Sequence, residues 1–115
     1  MPPISKYHPL KHYKWGIDCD GWNLVDNNDL SIKQERMPPG ASEQLHYHVQ
    51  AQQFFYILKG QAQFHFEDHI VDVTIGEGIH IEPGKKHFIK NNGTEDVEFL
   101  LCSNPSTTMD RINCI

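Results

Sequence analysis

Between Leu30 and Cys102 the chain is cut by Gly, Pro and Asn into short runs, and none has the length and period of an amphipathic helix. Leu30 to Gln34 alternates and stops at Met37-Pro38-Pro39-Gly40, a strong turn signal, and Glu43 to His48 alternates again. Gln53 to Leu58 is a continuous apolar run ending at Lys59-Gly60. In Gln61 to Phe66, Ala62, Phe64 and Phe66 oppose Gln61, Gln63 and His65, and Glu67-Asp68-His69 makes a hairpin turn. With Ile70 to Ile75, Gly78 to Ile81, His87 to Asn91 and Val97 to Cys102, the pattern predicts about eight or nine short strands, hence an all-β sandwich or barrel. The first 20 residues are rich in His, Tyr, Lys and Trp and carry no clear period. They are expected to form an arm over residues 1–24 that pairs onto or drapes over a barrel domain of residues 25–115.

At 115 residues and 13.3 kDa the chain makes one domain with one modest core. Fifteen acidic against 10 basic residues give a net charge of -5, and no stretch interleaves Lys or Arg with stacking aromatics. Nucleic acid is therefore not an expected partner. The longest apolar stretch, Phe54 to Leu58, is far short of the ~20 residues of a membrane span, and Met-Pro-Pro-Ile-Ser-Lys lacks the apolar segment of a signal peptide. Cys19, Cys102 and Cys114 are widely spaced and fit neither a disulfide framework nor a Cys-x-x-Cys knuckle. These features point to a cytoplasmic protein with no membrane partner.

The face of the second strand that carries Gln44, His46 and His48 is polar where a core face would be apolar. Two histidines one residue apart on a strand project from the same side, about 6 to 7 Å apart along it. They can converge on one ion, and His87, after the Pro83-Gly84-Lys85-Lys86 turn, can complete the set if the fold closes the gap. Neutral imidazole is a common ligand of Zn, Ni, Fe, Cu and Mn, so a divalent transition metal is the expected cofactor, with positions left open for water or substrate. The competing reading is three hydrogen-bonded histidines in a polar barrel, which leaves their shared desolvation without evident compensation.

These spacings resemble those of the cupin superfamily, small β-barrels of the jelly-roll type. Gly40, His46, His48 and Gly60 fall in register with the first cupin motif, with Gln53 where that motif has Glu. Gly76, Gly84, His87 and Asn91 fit the second, with Glu82 where it has Pro and Pro83 next door. The resemblance implies a jelly-roll barrel with His46, His48 and His87 as ligands inside it and position 53 supplying a fourth. Three roles compete for Gln53: an oxygen ligand, a hydrogen-bonder to substrate or to a ligand, and a polar wall residue. An amide oxygen is an uncharged, weaker donor than a carboxylate, so lower metal affinity and stronger Lewis acidity are expected.

Two classes of function follow. One is a metal-dependent enzyme acting on a small metabolite, with oxygenase or isomerase chemistry; the other is a metal-containing module that binds a sugar or an acid without turning it over. No acid or base besides the metal set stands out to decide between them. Phe55, Ile57, Phe64 and Ile89 are expected to point inward around a small cavity, with Gln44 at its mouth. With Gln53 inward, Phe54, Tyr56 and Leu58 face outward as an apolar stripe, for which a homodimer is the expected cover.

Overall fold

The computed structural model describes residues 2–114, and among them eleven strands and no helix are found. In chain order the strands are β1 (Lys11–Trp15), β2 (Cys19–Asp26), β3 (Ser31–Met37), β4 (His46–His48), β5 (Gln52–Lys59), β6 (Gln61–Phe66), β7 (Ile70–Thr74), β8 (Gly78–Ile81), β9 (His87–Lys90), β10 (Val97–Asn104) and β11 (Arg111–Asn113). They form two antiparallel sheets, one ordered β1-β2-β3-β10-β5-β8 and the other β11-β4-β9-β6-β7. This is the expected all-β jelly-roll architecture.

Alternation along β5 sets the inside and outside of the larger sheet. Gln53, Phe55 and Ile57 are buried, whereas Phe54, Tyr56 and Leu58 are 42%, 38% and 40% exposed, so the outward apolar stripe is present. Phe55 and Ile57 meet Phe99, Met37 and Val97 of their own sheet and Ala62, Phe64, Val73 and Ile89 of the other. The Phe55 and Phe64 rings cross edge to face at 4.9 Å, a preferred aromatic geometry. This apolar packing closes one end of the space between the sheets and leaves the other end to polar side chains.

Two of the motif glycines have a definite mechanical task. Gly60, at the tight link from β5 to β6, has φ +76°, and a Cβ there would lie 2.5 Å from the Asp96 carbonyl oxygen. Gly84 has φ +80° and donates its N–H to the His48 carbonyl at 2.7 Å, tying the turn before β9 to the end of β4. Asn91 is fully buried and does a similar job by side chain: its Nδ2 donates to the Met37 and Glu95 carbonyls and its Oδ1 accepts from the Gly93 N–H.

The termini contribute more strand than the sequence pattern suggested. Within residues 1–24, β1 pairs with β2, and β2 continues to Asp26 and pairs with β3, lengthening the larger sheet. At the other end β11 pairs with β4, placing Arg111 opposite His48. The Asp110 carboxylate accepts the N–H groups of Gln50 and Ala51 and fixes that last segment.

Candidate metal centre

His46 of β4 pairs in register with His87 of β9, and His48 follows His46 on the same strand face. The three ring centroids are 4.4 Å (His46 to His87), 5.1 Å (His46 to His48) and 6.1 Å (His48 to His87) apart. One nitrogen from each ring lies within 4.8 Å of the others. The residues are 2%, 5% and 0% exposed. The three histidines are thus positioned to bind a metal ion.

Backbone carbonyls fix the orientation of two of the rings. His46 Nδ1 donates to the Gln44 carbonyl and His87 Nδ1 to the Lys85 carbonyl, each at 2.8 Å. A ring that donates through Nδ1 carries its lone pair on Nε2, and this arrangement is the usual orienting partner of a metal-bound histidine. His87 Nε2 and His48 Nδ1 are buried without a hydrogen-bond partner among the described residues. Burial pushes the pKa of His46 down to about 3 and that of His48 down to about 4, with neighbouring positive charge adding to the effect at His48, and it lowers His87 too. Neutral rings with unused lone pairs are the state that ligation requires.

Gln53 lies on the inner face of β5. Its Nε2 donates to the Ser103 hydroxyl at 3.1 Å, which leaves Oε1 as a buried acceptor with no partner among the described residues. An orphaned amide oxygen normally costs about 1 to 3 kcal/mol. Three neutral imidazoles gathered from two strands suit a metal ion, and Gln53 presents its oxygen to the cavity that His46 and His48 also line.

Next to this cluster is a cavity of about 220 Å³, lined by Tyr13, Trp15, Lys33, Glu35, Glu43, His46, His48, Gln53, Phe55, Leu101, Thr107 and Arg111. The inner positions of β3 supply Lys33 and Glu35, and Tyr13 of β1 donates its hydroxyl to Glu35 Oε2. Glu43 accepts the Ile89 N–H at 3.3 Å and faces Arg111 at 3.5 Å. Burial pushes Glu43 up to about 7 against the pull of Arg111, and burial raises Glu35 as well.

The sequence pattern identified the histidines and Gln53 but not Tyr13, Lys33, Glu35, Glu43 or Arg111. Gln44, expected at the mouth, instead gives its amide to the Cys114 carbonyl at 3.0 Å, and Glu43 faces the cavity. His80 binds the Gln52 side chain on the outside, and Glu82 is exposed. One signal was available in principle: Lys33 and Glu35 share a strand face with buried Ser31 and Met37, but alternation alone does not tell which face of β3 is inner.

Comparison with known proteins fits this picture. Residues 33–103 match the family model described as cupin domain. The oxalate-binding protein of Thermotoga maritima is 37% identical over 76 residues, covering 66% of this chain and 63% of that protein, so the chain spans less than two thirds of this relative's own length. The crystal structure of a predicted oxalate decarboxylase, also from Thermotoga maritima, superposes with a TM-score of 0.71 at 28% identity over 76% of this chain and 81% of that one. The polyketide cyclase RemF of Streptomyces resistomycificus has a TM-score of 0.85 at 18% identity, covering 100% of this chain and 86% of that one, a likeness of fold. Tyr13 and Arg111 lie outside the segment matched to the family model. With the motif spacings, the two-sheet topology and the match over most of its length, the chain belongs to the cupin family.

Proposed function

We propose that this protein binds a divalent transition metal, Zn, Ni, Fe, Mn or Cu, through His46, His48, His87 and the Oε1 of Gln53, and acts on a small metabolite by isomerase- or oxygenase-type chemistry. The observation that carries the reading is the set of buried, unpartnered ligand atoms, His87 Nε2, His48 Nδ1 and Gln53 Oε1. The bound ion would supply Lewis acidity toward a carbonyl or hydroxyl oxygen or, if redox-active, a route for electrons to dioxygen. The chain's own residues hold and orient: the Gln44 and Lys85 carbonyls steer two rings, Ser103 steers Gln53, and Phe55 and Leu101 give the cavity a dry wall. Its volume is below the roughly 300–1,000 Å³ of pockets for drug-sized ligands, which suits a small metabolite. Glu35 and Glu43 offer the acid and base groups that an enzyme needs.

The second reading is a binding module that holds a small acid without converting it. Lys33 and Arg111 in the cavity wall favour it, and so does the name of the Thermotoga relative. In either case the protein is proposed to be a cytoplasmic homodimer with no nucleic-acid or membrane partner, in which residues 1–24 are an arm on the barrel of residues 25–115 and carry Tyr13 to the cavity. No helix among the described residues is long and apolar enough to cross a membrane.

Elemental analysis of untagged protein purified without added metal tests the ligand set. Wild type is expected to carry close to one transition ion per chain, His46→Ala to lose it, and Gln53→Glu to retain it more tightly because a carboxylate neutralises part of its charge. Equal content in all three would defeat the assignment. Oxygen uptake with candidate substrates, against an anaerobic control, then separates oxygenase from isomerase or binder.

A further inference from the structure

The hydroxyl of Tyr13 reaches Glu35 across an intervening strand, and this is possible only because that strand carries a glycine there. Tyr13 pairs with Gly21, and Gly21 pairs with Glu35, so the three form one row across β1, β2 and β3. A Cβ at Gly21 would lie 2.0 Å from Tyr13 Cζ and 2.4 Å from its hydroxyl oxygen. The ring occupies the space that any other side chain would fill, and its hydroxyl donates to Glu35 Oε2. Among the described residues Glu35 Oε1 has no hydrogen bond, and the residue lines the same cavity as the orphaned Gln53 Oε1.

Two cations flank this carboxyl. Lys33 lies two residues away on the same face of β3, its Nζ 5.6 Å from the centroid of the Tyr13 ring, and it makes no ion pair among the described residues. Arg111 enters from β11 and is engaged at 3.5 Å with Glu43. The other titratable groups around the space are Cys19 of β2, Glu43 before β4, and His46 and His48 of β4; β5 and β10 present Gln53, Phe55 and Leu101. Positive charge beside an unused carboxyl oxygen suits a small anion whose second oxygen accepts a hydrogen bond.

We propose that the cavity is a proton-coupled site for a small carboxylate: the anion enters beside Lys33 and Arg111, and Glu35, positioned by Tyr13 across Gly21, takes up a solvent proton and donates it in a hydrogen bond to a ligand oxygen. The balance is one proton lost by a hydronium ion or buffer acid, whose conjugate base stays in solution, one O–H bond formed on the Glu35 carboxylate, and no bond broken in the ligand. This rests on the metal-site reading for the ion that would share the ligand. Burial raises Glu35 while the Tyr13 hydroxyl holds it down, and an arriving negative charge would act in the same direction as burial.

The test uses the full chain incubated with zinc, its zinc content measured, then titrated with oxalate by calorimetry in paired buffers of different ionisation enthalpy from about pH 5 to about pH 8, which reads protons exchanged on binding. Wild type is expected to bind oxalate with uptake approaching about one proton, Glu35→Gln to keep its zinc and still bind oxalate without uptake, and Lys33→Met to bind about tenfold more weakly. Tyr13→Phe and Gly21→Ala are both expected to move the uptake to higher pH, since each removes the donor that favours the charged carboxylate; Tyr13→Phe decides the point if Gly21→Ala does not fold. Unchanged uptake in Glu35→Gln, loss of its zinc, no shift in Tyr13→Phe, or no oxalate binding by wild type would overturn the proposal. Wild type that takes up no zinc defeats the metal reading instead, and the oxalate and proton data from the same sample still decide the role of Glu35.

Discussion

At the scale of single residues, the site is made by what its side chains leave unused. His46 and His87 spend Nδ1 on backbone carbonyls, Gln53 spends its NH2 on Ser103, and one nitrogen from each of His46, His48 and His87 lies within 4.8 Å of the others. The cost shows in acid. Unfolded histidines titrate near 6.5, while burial holds His46 near 3 and His48 near 4 in the folded chain. Between these limits the unfolded state binds more protons at these rings, so the histidines' contribution to the stability of metal-free protein is expected to be full above about pH 6.5 and to fall progressively as the pH drops toward about 4, while Glu43, raised to about 7, and Glu35, raised as well, act in the opposite sense. Urea unfolding midpoints of wild type and His48→Gln measured across that range isolate the ring: the wild-type midpoint should fall relative to that of the variant as the pH drops, and parallel profiles would contradict the burial of a neutral His48. The histidines were legible in the sequence because spacing on a strand fixes their common side. Glu35 and Glu43 were not, because a charged residue on a strand defaults to solvent and only the assembled register turns these two inward.

At the scale of elements, the strands that read clearly are those whose two faces differ. β5 and β6 alternate buried and open positions, and their pattern in the sequence is the same alternation. β1 and β11 sit at sheet edges with mostly exposed side chains, so no apolar period marks them; they are held by backbone pairing and by caps that sequence patterning does not reveal. β4 is shorter than the alternation from Glu43 suggested: the Ile89 N–H of β9 goes to the Glu43 carboxylate instead of a backbone carbonyl of this segment. The anchoring of β11 is testable. Asp110→Ala removes the acceptor of two amides, at Gln50 and Ala51, and is expected to lower stability by about 1 to 3 kcal/mol. Amide exchange at Val49 and Cys114, whose N–H groups bind the Asp110 and Leu45 carbonyls, should speed up with it; unchanged exchange would mean that pairing alone holds the strand.

At the scale of the whole molecule, the two sheets divide the labour. One end of the space between them is filled by Phe55, Ile57, Phe64, Ile89 and Phe99, and the other is left to the histidines and the cavity. Outside, Phe54, Tyr56 and Leu58 stand open on the larger sheet. If a second copy covers that stripe, sedimentation should give a dimer that Tyr56→Lys converts to monomer without loss of bound metal; a wild-type monomer at high concentration would exclude the homodimer. The claim on which the functional account depends is that three imidazoles from two strands meet on one ion. Anomalous diffraction from crystals soaked in a zinc salt, recorded on both sides of the zinc edge, tests it most directly. The account predicts a single strong peak within bonding distance, about 2.0 to 2.1 Å, of one nitrogen from each of His46, His48 and His87, with the Gln53 oxygen facing it. A peak bound elsewhere, or no peak among the three rings, would contradict it.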